Sequence, residues 1–151
     1  MPVVLQSGDV AHTARHASHM HTVSELCVYT QWQCIRVTVN HSDIDHPWCS
    51  MTLKVIHIQK VLHTIKVNGW LIALDNDITI VRIHEAFRLL HRLMVAPDLH
   101  LIAQLNRDVR SNASSGNSGV LLVRKSNTGR RLITRYGMEQ TRREWISAGG
   151  Y

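Results

Sequence analysis

The residues able to do chemistry in this chain are mainly imidazoles, eleven histidines alongside three cysteines and eleven carboxylates. His12, His16, His19 and His21 crowd the first stretch, and the pair four apart has the spacing that puts two metal ligands on one helix face. A metal site needs at least a third protein ligand, with further partners that hold each ring. His41, His46 and Cys49 are the other candidates, but no pair makes a Cys-x-x-Cys or His-Glu-x-x-His spacing, so no metal ligand is assigned. A polar arm that gains positive charge below about pH 6 is the more economical reading of these histidines.

His57, His63, His84, His91 and His100 lie on or beside apolar stripes, where each could act as a general base if a carboxylate oriented it. Glu85 directly follows His84, and adjacent helical side chains do not face each other, so the two make no acid–base pair. Partly buried helix histidines with one satisfied ring nitrogen are the expectation. Cys27, Cys34 and Cys49 lack the setting of a nucleophile, and their odd number points to free buried thiols in a reducing compartment. Gly116 and Gly119 form neither a phosphate-binding loop nor a dinucleotide fingerprint. No catalytic residue and no cofactor is therefore assigned.

Charge is distributed unevenly. Of 151 residues, 44% are hydrophobic and 17 Lys plus Arg face 11 Asp plus Glu, a net charge of +6. Residues 1–104 carry eight basic and eight acidic side chains, so the whole excess lies in the remaining 47 residues, with nine against three. Seven of these nine, Arg124, Lys125, Arg130, Arg131, Arg135, Arg142 and Arg143, are the candidate polyanion-binding set, because guanidinium forks suit phosphate and carboxylate oxygens. Nucleic acid or an anionic membrane surface is the expected partner.

Elements must place these groups. Residues 1–24 read as a polar, histidine-rich arm, within which residues 4–8 look like a site cut by chymotrypsin-like viral cysteine proteases. Residues 25–40, rich in β-branched and aromatic side chains, predict one long strand. Residues 51–66 fit a helix better than a strand, on length, and stop at Asn68-Gly69. Residues 70–74 predict a short buried strand closed by Asp75-Asn76-Asp77. Ile80, Ile83, Phe87, Leu90 and Met94 make the strongest helical stripe, and Pro97 starts a second helix carrying Leu101, Ile102, Leu105 and Val109. Residues 111–119 read as a flexible loop, 120–125 with 130–136 as a basic β-hairpin, and 138–147 as a short terminal helix.

The expected fold is thus α+β. A small, mostly antiparallel sheet is packed by a helical hairpin in a single domain over residues 25–151, with the basic β-hairpin and short helix at its C-terminal end. The longest apolar runs fall far short of a membrane span, and residues 1–10 have no secretory leader pattern, so an intracellular protein, cytoplasmic or nuclear and not secreted, is expected. The function expected is that of a non-enzymatic structural protein, viral matrix-like or nucleocapsid-associated, binding RNA or another polyanion as a homo-oligomer or within a larger assembly. Two alternatives stand beside it: a histidine-dependent hydrolase or nuclease using Asp43, Asp45 or Asp77, and a protein–protein adaptor.

Overall fold

The computed structural model describes residues 1–9, 16–39, 49–107 and 114–147. Five strands, β1 (Val3–Asp9), β2 (Gln33–Val39), β3 (Trp70–Asp75), β4 (Leu101–Arg107) and β5 (Ser114–Arg124), form one sheet in the order β2-β1-β3-β5-β4. Helices α1 (Ala17–Thr30), α2 (Cys49–Thr64), α3 (Ile83–Val95) and α4 (Asn127–Ser147) cover its two faces. The fold is a single α+β domain, as expected, but its sheet is mixed. β1 runs parallel to both β2 and β3, whereas β5 is antiparallel to β3 and to β4.

β3 explains the layering. Residues 70–74 are all buried, because a strand in the middle of a sheet covered on both faces must be apolar on both. Leu71 and Ala73, with Val3 and Leu5 of β1, pack beneath Ile58, Val61 and Leu62 of α2 and Ile133 of α4. Ile72 and Leu74, with Val4, pack against Val23 and Cys27 of α1 and Met94 of α3. β1 alternates between the same two layers, so its pairing on both edges makes it the spine of the domain.

Several expectations are corrected. The long strand over 25–40 is instead α1 followed by β2. Val23, Leu26 and Cys27 form a buried helical stripe, whose burial outweighs the strand preference of the β-branched residues, and the hydroxyls of Ser24 and Thr30 are satisfied on carbonyls four residues earlier. Residues 3–9 and 17–24, read as part of an arm, form β1 and the first half of α1. The helix after Pro97 is β4, so no helical hairpin packs the sheet. The basic hairpin does not exist either: β5 passes through Ser126 directly into α4, a helix of 21 residues that absorbs the expected second strand and the terminal helix. Residues 114–119 of the expected loop belong to β5, while 111–113 lie outside the described residues.

Cys27 and Cys34 are not free thiols. They are joined across the turn from α1 to β2, with Cα atoms 6.1 Å apart, around a left-handed Gln31 that ends the helix and a buried Trp32. Reducing this bond should lower the unfolding free energy by about 2–3 kcal/mol, the loop-entropy value for so small a ring. Urea midpoints with and without reductant measure it; an unchanged midpoint contradicts it. A second expectation concerns Gly137, where an added Cβ would lie 2.4 Å from Val55 Cγ2. Gly→Ala in a helix normally stabilises by about 1 kcal/mol. Here the stiff Val55 leaves the methyl no room, so Gly137→Ala should instead cost about 1–3 kcal/mol. Combined with Val55→Ala, it should cost less than the sum of the two single changes.

Candidate functional site

Strand order 2-1-3 reverses between β1 and β3, since the chain leaves β1 toward one edge and returns through α2 to the other side. In open α/β sheets, ligands bind outside the carboxyl ends of the strands at such a reversal. The residues there are Ser7 and Gly8 of β1 and the turn Asp75-Asn76-Asp77 after β3, with Ser7 in register with Asp75. Asn76 is buried, and its side chain lies across Gly8, where an added Cβ would sit 2.1 Å from its Nδ2. Any larger residue at position 8 would push the turn away from β1.

The turn is held from both faces of the sheet. Lys54, from α2, donates to Asp75 Oδ1 with its own side chain only 7% exposed, against 36% for Asp75. Burial pushes the Lys54 pKa down, opposed by attraction to Asp75 and, more weakly, Asp77. From α1, the His19 Nδ1–H donates to Asp77 O at 2.9 Å, and Thr22 Oγ1 accepts from Ile80 N–H at 2.9 Å. Asp77 itself is exposed. The result is a carboxylate fixed by a buried cation, with a second carboxylate presented to solvent two residues later.

Asp75 and Asp77 offer the hard oxygens that Mg2+ or Mn2+ prefers. Among the described residues no group of three or more His, Cys, Asp or Glu is placed to hold a metal, so an all-protein cage is not formed there.

The arginine set divides. Arg124 turns inward, donating to the carbonyls of Pro97, Met94 and Ala96 at 2.6, 3.3 and 2.8 Å, with its guanidinium 4.9 Å from the Trp70 ring centroid. Lys125 donates to the carbonyls of His63, at 2.8 Å, and Ile65, capping α2. Both cations are structural. Arg130, Arg131, Arg135 and Arg142 line a groove along α4, and Arg143 lies on the same helix.

The histidines also separate. His16, which precedes α1, and His19 have ring centroids 4.9 Å apart with their planes tilted by 56°, and His21 lies 3.4 Å from Glu25. His84 Nδ1 is 2.9 Å from the Tyr29 hydroxyl, and His100 Nδ1 is 2.9 Å from Ser126 Oγ. Each has one satisfied ring nitrogen, but His84 is exposed and His100 stands just before β4, so neither is the partly buried helix histidine expected; His57, which is one, keeps a buried Nδ1 without a partner. Burial, aided by Lys60, pushes the His57 pKa down. His12, His41, Asp43, Asp45 and His46 lie outside the described residues.

Lys54 and Asp75 went unassigned in the sequence, where the acidic turn reads as a strand terminator from which only Asp77 is offered, as a partner for histidine. The signal that finds Asp75 is the five-residue apolar run ending in two carboxylates, which marks the carboxyl end of a strand buried on both faces; nothing in the sequence pairs Lys54 with it.

No protein-family model and no curated protein matches the chain. Among solved structures, the crystal structure of a glycosyltransferase involved in the glycosylation of the major capsid of PBCV-1 superposes with a TM-score of 0.67 at 12% identity. The alignment covers 91% of this chain and 65% of that one. The fold is shared with a glycosyltransferase. Two structures of the glycosyltransferase GlyE of Streptococcus pneumoniae TIGR4 align at TM-scores of 0.47 and 0.41, with 15% and 14% identity, over 94% and 97% of this chain and 38% of each of theirs. The PBCV-1 likeness overturns the expectation of a non-enzymatic polyanion-binding structural protein, and with it the viral and RNA-binding assignments. Physically, that expectation needed a basic hairpin, and the chain builds a helix there and commits Arg124 and Lys125 to carbonyls. No helix among the described residues is long and apolar enough to cross a membrane.

The Lys54–Asp75 pair makes an asymmetric prediction. Asp75→Asn strips a buried ammonium of its partner and should cost about 3 kcal/mol, the low end for a broken buried pair because Asp75 keeps 36% of its side-chain surface. Lys54→Met removes the buried charge itself and should cost less, or stabilise. The depressed Lys54 pKa means the folded state binds fewer protons than the unfolded one as pH rises toward the ordinary lysine range, so wild-type stability should climb there. Lys54→Met should lose that climb. Urea denaturation from neutral to alkaline pH reads both effects, and the reverse order of the two variants contradicts the account.

Proposed function

We propose that this chain is a glycosyltransferase domain, or part of one, that holds a nucleoside-diphosphate sugar across the carboxyl ends of β1 and β3. The observation that carries the reading is the acidic turn Asp75-Asn76-Asp77, seated against Gly8 where the strand order reverses, on a fold shared with a glycosyltransferase.

In glycosyl transfer the bond from the sugar C1 to the leaving phosphate oxygen breaks, and its electron pair goes to the phosphate. The acceptor hydroxyl oxygen bonds to C1 and gives up its proton. Negative charge grows on the leaving diphosphate, so the site has to stabilise charge there rather than on the sugar. Asp75 and Asp77 would hold a divalent cation, which would supply positive charge beside the leaving diphosphate. Lys54 keeps the Asp75 carboxylate in one orientation, and its positive charge prevents two like carboxylates from standing unopposed. His19 and Thr22 hold the backbone of the turn against α1, so the exposed Asp77 carboxylate is carried on a fixed loop.

The test is binding and slow hydrolysis of UDP-, GDP- and ADP-sugars in the presence of Mn2+, followed by NMR. Wild type should bind at least one of them, and Asp77→Asn should weaken that binding at least tenfold, the usual scale for losing a group that supports a metal. Because Asp77 is exposed, the variant should keep the wild-type urea midpoint. If no nucleotide sugar binds, or if Asp77→Asn leaves binding unchanged, the reading is wrong.

A further inference from the structure

We propose that the groove between α2 and α4 binds a linear acidic carbohydrate, a chain carrying sulfate or carboxylate groups. The groove encloses about 1190 Å³ and is lined by Arg130, Arg131, Arg135 and Arg142 from α4 and by Gln59 and His63 from α2. Arg131 and Arg135 are four residues apart and Arg142 follows seven later, so the three share one helical stripe. At 1.5 Å rise per residue the stripe is about 17 Å long.

Like charges at this spacing repel and destabilise a helix. Among the described residues no carboxylate lies within ion-pair distance of Arg130, Arg131 or Arg135, and Arg142 has Glu139 only at 4.0 Å. A bound anion relieves that repulsion, and guanidinium forks take sulfate and carboxylate oxygens in pairs.

Three observations choose the ligand. The surface is concave, which suits a chain rather than a flat bilayer. None of the described residues lining it is Phe, Tyr or Trp, so a nucleobase would find only His63 and the guanidinium planes to stack on, a poorer platform than an aromatic set. Gln59 donates its Nε2 to Thr134 Oγ1 at 2.6 Å, which leaves its carbonyl oxygen for a sugar hydroxyl.

The groove also points toward the candidate site. Arg124 pairs with Trp70 at the amino end of β3, so α4 starts there and climbs toward the carboxyl end. Gly137 packs on Val55, next to the Lys54 that reaches Asp75, and Arg142 lies beyond that level. A chain bound along the stripe is led toward the turn. Choosing a carbohydrate among acids rests on the glycosyl-transfer reading; the anion binding does not.

The experiment measures binding of a fluorescent heparin-derived hexasaccharide by polarisation, beside maltohexaose as the neutral control and a single-stranded RNA hexamer. Wild type should bind the heparin hexasaccharide, more weakly at high salt, and bind maltohexaose at least tenfold less well. Arg131→Gln combined with Arg135→Gln should cut heparin binding at least tenfold while leaving the urea midpoint and nucleotide-sugar binding intact. Asp77→Asn should leave heparin binding intact, which separates failure here from failure of the proposed function. Heparin binding that is absent, or unmoved by the double variant, overturns the proposal; RNA binding as tight as heparin binding reassigns the groove and overturns it as well.

Discussion

A buried ammonium has to be answered, and in this fold the end of β3 answers it. Lys54 enters from α2 beneath the sheet's covering layer, where desolvation disfavours its charge, and Asp75 restores it. That one contact ties a helix on one face of the sheet to the turn leaving its central strand. From it follows the position of Asn76 against Gly8 and of Asp77 on the loop anchored by His19 and Thr22. The candidate site is therefore not a loop left to find its own conformation. It is the carboxyl end of a buried strand, held by groups from both faces of the sheet.

The chain puts its cations to three uses, which the net charge conceals. Lys54 stands against a carboxylate. Arg124 and Lys125 terminate α3 and α2 by taking up carbonyl oxygens that would otherwise lack donors. Arg130, Arg131, Arg135 and Arg142 remain along α4, where they shape a groove and repel one another. Summed charge cannot distinguish these roles, because each depends on what the side chain meets once the chain has folded.

How much was legible in the sequence differs by element. The core of α2, the strand β3 and the stripe of α3 were, α3 by its period, α2 by its length and β3 by a short apolar run closed by turn residues. β1 was not: Val3, Val4 and Leu5 make a short apolar run at the start of the chain, where nothing local shows that strands pair on both sides of it. α1 was hidden by Val28, Tyr29 and Thr30, whose preference for strand lost to the buried stripe of Val23, Leu26 and Cys27. β4 was hidden by the reverse case, in which Leu101, Ile102 and Leu105 keep helical spacing while β5 supplies the hydrogen bonds. In the site, Asp77 stood out only as a partner for histidine. Asp75 and Lys54 are far apart in the chain and become a pair only through the return of α2 across β1.

The central claim is that the donor sits across the ends of β1 and β3. Backbone amide shifts of the labelled protein, recorded while a nucleotide sugar that binds is titrated in, test this most directly. The account predicts that the perturbed amides cluster at residues 7–8 and 75–82. Perturbations confined to α4 and the second half of α2, with that cluster silent, would contradict it.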